Sequence, residues 1–143
     1  MTPPVGILIG SESDRPIIEK CVARLDDLGI PYEINVMSPY RNPEDVSEYA
    51  GTARERGIKV IICGAGLASG LAAAVAARTI LPVIGIPIST GTMGGLDSLL
   101  STVQMPSGVP VATVAVDGSA NAAILAAQIL ALSDTDLAQK LEV

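Results

Sequence analysis

Short apolar runs alternate with helical patterns along the whole chain. The first run, Val5–Ile9, is followed by apolar residues at helical spacing between Ile17 and Leu28, and Gly29 marks the end of that helix. The same pair of patterns recurs to the end of the sequence. It predicts strands over 5–9, 32–37, 60–63, 83–86 and 111–116, helices over 17–28, 43–56, 67–78, 96–104 and 121–132, and a short last helix beginning at Ser133 or Asp134.

Five strand–helix units joined by short links predict an α/β fold of three layers, with helices on both faces of a parallel sheet. Right-handed crossovers restrict the topology, and a flavodoxin-like, doubly wound sheet of order 2-1-3-4-5 is the first choice. No linker or repeat divides the sequence, so residues 1–143 are expected to form one domain. With no Trp and no Phe, the core must consist of Val, Ile, Leu and Ala, which suits a buried parallel sheet.

Composition narrows the classes of function. The net charge is -6 and there is no basic tract, so nucleic acid is not an expected partner. The first residues lack the pattern of a signal peptide and no apolar run could span a bilayer, so we expect a soluble cytoplasmic protein without a membrane partner. Cys21 and Cys63 lack metal-ligand spacing and are expected to be small buried hydrophobes in a reducing compartment. The chain has no histidine, which excludes any mechanism that needs an imidazole from this chain.

Candidate chemistry lies in the loops that follow the strands. In an open parallel sheet, ligands bind outside the carboxyl ends of the strands. All five such loops are rich in Gly, Ser, Thr or Asn, and they cover residues 10–14, 38–43, 64–70, 87–95 and 117–121. Glycine lets a backbone approach a ligand closely, and helix N-termini offer unpaired N–H groups to an anion.

The first two loops carry groups that suit a phosphorylated ligand. Ser11 and Ser13 can donate hydroxyl protons to phosphate, and Asp14 can accept from ribose hydroxyls, unless one of these three serves only as a helix cap. Ser38 and Arg41 are in the second loop, where a guanidinium can bind phosphate with two hydrogen bonds. The alternative for Arg41 is a solvated surface position.

The third and fourth loops are less specific. Gly64-Ala65-Gly66 is predicted to be a tight turn that could cradle phosphate, although no Walker lysine follows it. For Tyr40, in the second loop, packing or stacking is the first expectation, and donation of a hydrogen bond by its hydroxyl is the alternative. The loop 89–95 could cover a ligand or contact another subunit, and the sequence does not separate these two roles.

Several long motifs resemble the carboxyaminoimidazole ribonucleotide mutase family, which includes the catalytic subunit of phosphoribosylaminoimidazole carboxylase. The matching stretches occur in the family's order and spacing, and they cover residues 5–14, 38–43, 59–66, 81–87, 95–106 and 108–116.

The resemblance implies a flavodoxin-like subunit in a homo-octamer, with sites at subunit boundaries and a ribonucleotide as ligand. It implies transfer of a carboxyl group on an aminoimidazole ribonucleotide, or addition of carbon dioxide to it, without a metal or organic cofactor. The residues at the family's substrate-binding positions are Ser11, Asp14, Ser38, Arg41, Ala65, Gly66 and Leu67.

The sequence departs from the family pattern where acid/base chemistry is expected. The family's Ser-Ala-His-Arg-Thr-Pro is Ser-Pro-Tyr-Arg-Asn-Pro here, so Tyr40 replaces the catalytic histidine. In the third loop Gly70 replaces a second histidine, Leu67 a glycine and Ala72 a proline. Ser89 stands where a glutamine is usual.

These departures lead to three interpretations. Imidazole can both remove and deliver a proton near neutral pH, whereas a phenol is a weak base there. The first choice is therefore a diverged enzyme that decarboxylates a five-membered heterocycle ribonucleotide, or performs related carboxyl chemistry, with one proton supplied by Tyr40, Ser69, a substrate group or water. The alternatives are the parent mutase reaction of purine biosynthesis with a substitute acid/base, and a non-catalytic nucleotide-binding protein.

Overall fold

The computed structural model describes residues 1–142 and has the predicted architecture. Five parallel strands form one sheet in the order β2-β1-β3-β4-β5, which confirms the doubly wound α/β fold. The strands are Val5–Ile9 (β1), Tyr32–Val36 (β2), Val60–Gly66 (β3), Val83–Ile88 (β4) and Ala112–Thr113 (β5). The helices are Arg15–Asp27 (α1), Pro43–Arg56 (α2), Leu71–Ala76 (α3), Leu96–Val103 (α4), Ser119–Ala131 (α5) and Thr135–Leu141 (α6), with a 3-10 turn at Glu12–Asp14 before α1.

The core lies on both faces of the sheet. Alternate residues of β1 point to opposite sides, so Ile7 packs in the cluster with α1 and α5, whereas Leu8 packs in the cluster with α2 and α3. Cys21 and Cys63 are buried, one in each cluster, as the sequence predicted. Within residues 1–142, none of the helices combines the length and apolarity needed to cross a membrane.

The third strand is longer than predicted, and the expected tight turn at 64–66 is wrong. Gly64, Ala65 and Gly66 continue β3 and align with Ile86, Pro87 and Ile88 of β4, which is also longer than predicted. The chain turns only at Leu67, whose φ of +56° lies in the left-handed region. A residue in that conformation cannot start a right-handed helix, so α3 begins at Leu71 instead of position 67 and ends at Ala76.

The fifth strand is shorter than predicted. Only Ala112–Thr113 pairs regularly with β4, where the sequence indicated 111–116. The chain then bends, yet the Val114 and Asp117 amides still donate to Gly85 and Pro87 of β4, over 3.1 and 2.8 Å. This edge of the sheet therefore stays attached without a regular ladder.

Candidate functional site

A cavity of about 460 Å³ opens at the carboxyl ends of β1, β2 and β3, where the topology predicts a ligand site. The predicted binding and catalytic residues that line it are Ser11, Ser13, Asp14, Ser38, Tyr40, Arg41, Ala65, Gly66 and Leu67. Lining residues that sequence reasoning did not single out for binding are Gly10, Pro39, Ala68, Gly70, Leu71 and Thr90.

The first loop turns Ser11 and Ser13 toward each other. The two Oγ atoms are 2.9 Å apart, and the Ser13 amide donates to Ser11 Oγ over 3.3 Å. Ser11 therefore caps the 3-10 turn while it also lines the cavity, so the structural and binding roles coexist. A pair of adjacent hydroxyls at the start of a helical segment is well placed to donate to an anion.

Asp14 is an acidic residue that the fold buries at the cavity wall. The residue is only 4% exposed, and its carboxylate does not cap α1. Burial raises the pKa of this carboxyl, and the Ser11 backbone amide partly opposes the shift. A desolvated carboxylate at a cavity gains from hydrogen-bond donors on a ligand, such as ribose hydroxyls.

Ser38 shapes the second loop and presents Arg41. Its buried Oγ accepts from the amides of Tyr40 and Arg41 over 3.1 and 3.4 Å. Arg41 makes none of the ion pairs within residues 1–142, whereas Arg15, the other cation near these loops, is held by Glu12 at 2.6 Å. The Arg41 guanidinium is thus the one available to a phosphate.

Tyr40 and Gly70 form a matched pair across the cavity. The Tyr40 hydroxyl donates to the Ala68 carbonyl oxygen over 2.6 Å, although the residue is 66% exposed. A Cβ atom at position 70 would lie only 2.6 Å from the Tyr40 Oη. The tyrosine hydroxyl therefore occupies space that any side chain at position 70 would need.

Ser69 is the predicted catalytic residue that the structure does not bring to the cavity wall. The residue is 2% exposed, and its Oγ accepts from Thr102 Oγ1 over 3.0 Å. Its amide donates to Ser101 Oγ over 2.8 Å. These bonds tie the third loop to α4, so the contacts of Ser69 are those of a structural residue. Sequence reasoning could not see them because they depend on residues more than thirty positions away.

The loop after β4 closes one side of the cavity. Thr90 lines it, and a Cβ atom on Gly66 would lie within van der Waals overlap of Thr90 Oγ1. That hydroxyl is buried and has no hydrogen-bond partner within residues 1–142. Asp117, with φ +59°, holds the start of the loop by accepting from the Ser89 amide and hydroxyl over 2.8 and 2.5 Å.

The described part of the chain offers no metal centre. Residues 1–142 contain no group of three or more Cys, Asp or Glu side chains placed to hold a metal ion. The side chains that line the cavity include hydroxyls, one guanidinium, one buried carboxylate and the Tyr40 phenol.

Comparisons with known proteins agree with one another. The AIR carboxylase family model matches residues 4–143. An N5-carboxyaminoimidazole ribonucleotide mutase from Bacillus subtilis is 54% identical over 144 residues, covering 99% of this chain and 89% of that protein. A mutase of the same name from Pyrococcus horikoshii is 52% identical over 139 residues, covering 97% of this chain and 78% of that protein. The crystal structure of a Treponema denticola PurE2 variant has a TM-score of 0.86 and 31% identity, over 99% of this chain and 88% of that chain.

Proposed function

The chain belongs to the AIR carboxylase family, and we propose that it binds a carboxylated aminoimidazole ribonucleotide. In the proposed reaction the carboxyl group moves between the exocyclic nitrogen and the ring carbon. This is the mutase reaction that the relatives' names describe. The observation that carries the proposal is the cavity at the carboxyl ends of β1 to β3, which unites hydroxyls, a free guanidinium and a buried carboxylate.

The first two loops supply the groups for the ribose phosphate. Ser11, Ser13 and Arg41 offer donors to the phosphate, and Asp14 offers an acceptor to the ribose hydroxyls. Ser38 supports them by fixing the turn that presents Arg41. Ala65 and Gly66 bring the backbone of β3 close to the ligand, since neither has a bulky side chain.

We assign proton exchange with the heterocycle to Tyr40, whose hydroxyl lies at the cavity beside the third loop. In the mutase reaction the ring carbon gains the carboxyl group and loses a proton, while the exocyclic nitrogen loses the carboxyl group and gains a proton. The Tyr40 hydroxyl proton is engaged by the Ala68 carbonyl, which leaves the phenol oxygen as an acceptor. In the proposed reaction the phenol gives its proton to the exocyclic nitrogen as the carboxyl group leaves it. The resulting phenolate then removes the proton from the ring carbon that has gained the carboxyl group, which regenerates the phenol.

Decarboxylation, the first choice from the sequence, becomes the second candidate. Relatives about half identical over nearly the whole chain carry the mutase name, which favours the mutase reaction. One observation still favours decarboxylation: the chain contains no histidine, and release of carbon dioxide needs only one proton delivered to the ring carbon or nitrogen. The Tyr40 phenol suffices for that single step.

The fate of the carboxyl carbon distinguishes the mutase reaction from decarboxylation. The protein is mixed with aminoimidazole ribonucleotide that carries a ¹³C-carboxyl group on the exocyclic nitrogen, and ¹³C NMR follows the label against a protein-free control. We expect the label on the ring carbon. Faster appearance of ¹³C-bicarbonate with no ring-carbon signal would establish decarboxylation, and decay at the protein-free rate would refute both reactions. In that last case, calorimetric binding of the ribonucleotide would identify a non-catalytic binding protein.

We also propose that the chain assembles with copies of itself, as the homo-octamer implied by the family resemblance. Supporting this, Leu96, Leu100 and Val103 project from one face of α4 and are exposed, with Met93 just before them. Such an apolar stripe on a helix is typical of a subunit contact. Light scattering coupled to gel filtration should give a mass near eight chains, and Leu100→Glu should lower it. A monomer in the unmodified protein would contradict the proposal.

A further inference from the structure

Leu67 has an unfavourable backbone conformation directly at the cavity. Its φ of +56° is in the left-handed region, which glycine adopts freely and a leucine adopts only at an energetic cost. The family pattern has glycine at this position. The departure to leucine therefore needs a reason that offsets the cost.

Contacts from α4 hold this conformation in place. Ser101 Oγ accepts from the Ser69 amide over 2.8 Å and donates its proton to the Asp97 carbonyl oxygen over 2.7 Å, while the Leu67 carbonyl oxygen lies 3.4 Å away. The segment that directly follows Leu67 is thus tied to α4 through Ser69.

The Leu67 side chain contributes little to the stability of the fold. Leu67 is 55% exposed, so most of its apolar surface remains in contact with water. It lines the cavity, and its Cδ2 lies beside Gly91, where an added Cβ atom would approach to 2.8 Å. Leu67 therefore forms an apolar part of the cavity wall beside the loop 89–95.

We propose that Leu67 determines specificity by packing against the heterocycle of the bound ribonucleotide, so that the cavity selects a ligand with an apolar ring face. The inference rests on the proposed function. An isobutyl group offers nothing to a phosphate or a ribose hydroxyl, and the groups that suit those parts come from the first two loops. The ring is the remaining part of such a ligand, and covering Leu67 with it would remove the exposed apolar surface from water.

The test compares two ligands that share the ribose phosphate. Affinities of the intact protein for aminoimidazole ribonucleotide and for ribose 5-phosphate are measured by calorimetry for wild type, Leu67→Gly and Leu67→Ala. Leu132→Ala, at an exposed leucine outside the cavity, is the matched control. We expect both Leu67 variants to bind the ribonucleotide about fivefold or more weakly, with ribose 5-phosphate changed by less than about twofold. The thermal midpoint should rise in Leu67→Gly relative to Leu67→Ala, because only glycine relieves the backbone strain.

Four results would overturn the inference. If both ligands weaken equally, Leu67 acts on the ribose phosphate or on the fold, and if neither weakens, it contacts no ligand. Failure of the wild-type protein to bind either ligand would instead overturn the proposed function, and the ring contact with it. Binding of ribose 5-phosphate alone would leave the phosphate site standing and refute the ring contact.

Discussion

The contact between Tyr40 and position 70 allows a double-mutant test that needs no knowledge of the substrate. In Gly70→Ala the new Cβ atom would meet the Tyr40 Oη at 2.6 Å, roughly 0.8 Å short of ordinary contact. Gly70 has a right-handed backbone, with φ −90° and ψ 0°, so alanine fits the backbone itself. Since the neighbour is the end of an exposed side chain, we expect Tyr40 to swing away and lose its bond to Ala68.

The expected cost follows from that bond. A hydrogen bond of this kind contributes about 0.5–1.5 kcal/mol to stability. In Tyr40→Phe the hydroxyl is absent, and the ring Cζ position is 3.4 Å from the new Cβ, which is ordinary contact. Gly70→Ala should then be neutral or stabilising, by up to about 1 kcal/mol, because alanine restricts the unfolded chain. We therefore expect a coupling energy of about 1 kcal/mol between the two sites.

Urea denaturation of the four proteins measures the coupling, and Gly51→Ala is the control. Gly51 lies in α2 with no atom within 4 Å of an added Cβ, so alanine there should stabilise the wild-type protein and the Tyr40→Phe variant equally. Turnover should fall in Gly70→Ala as it does in Tyr40→Phe if the placed hydroxyl is the proton-transfer group. Equal effects of Gly70→Ala on stability in both backgrounds would refute the contact between the two residues.

Three further predictions concern the cavity and the loop that borders it. Arg41→Ala should weaken ribose 5-phosphate binding about tenfold or more, whereas Arg15→Ala should have a smaller effect because Glu12 already engages Arg15; equal losses measured by calorimetry would contradict this. Burial raises the pKa of Asp14, so its ionised form opposes folding above that pKa. Asp14→Asn should therefore raise the thermal midpoint at pH 7 and weaken ribonucleotide binding. The gain in thermal midpoint should vanish when the pH is lowered below the usual pKa of aspartate, and a gain that stays constant across pH would argue against the burial effect. Asp117→Ala should destabilise the protein by about 1–3 kcal/mol and speed proteolysis of the loop after β4, because Ser89 loses both bonds; unchanged cleavage would show that the carboxylate does not hold the loop.

The sequence predicted the fold well wherever local signals and tertiary contacts agree. Pro43 begins α2 and Gly57, with φ +108°, follows its end, so both bounds of this helix were readable. One error arose where two glycines have a tertiary role. Gly64 and Gly66 indicated a turn, but they belong to a strand because side chains of α1 and β4 and the Thr90 side chain fill the space beside them. No local signal reports such a neighbour.

The residues of the candidate site were likewise predictable only in part. The hydroxyls and the guanidinium of the first two loops were predictable, because the carboxyl end of a parallel strand is a known ligand position and their chemistry suits phosphate. The positions of Ser69 and Thr90 were not, since both depend on contacts across loops. The proximity of Tyr40 to position 70 was not predictable either, because the two residues are thirty positions apart in the sequence and meet only in the folded chain.

The two edges of the sheet limit how copies of this chain can associate. β5 offers only two regularly paired residues, so it gives an added strand almost no template. At the other edge, β2 carries Glu33, whose carboxylate is bound by Arg56 over 2.8 Å and by Tyr49 over 2.7 Å. Short edge strands and charged side chains on edge strands both disfavour the addition of further strands. We therefore expect copies of this chain to associate through helix faces more readily than by extension of the sheet.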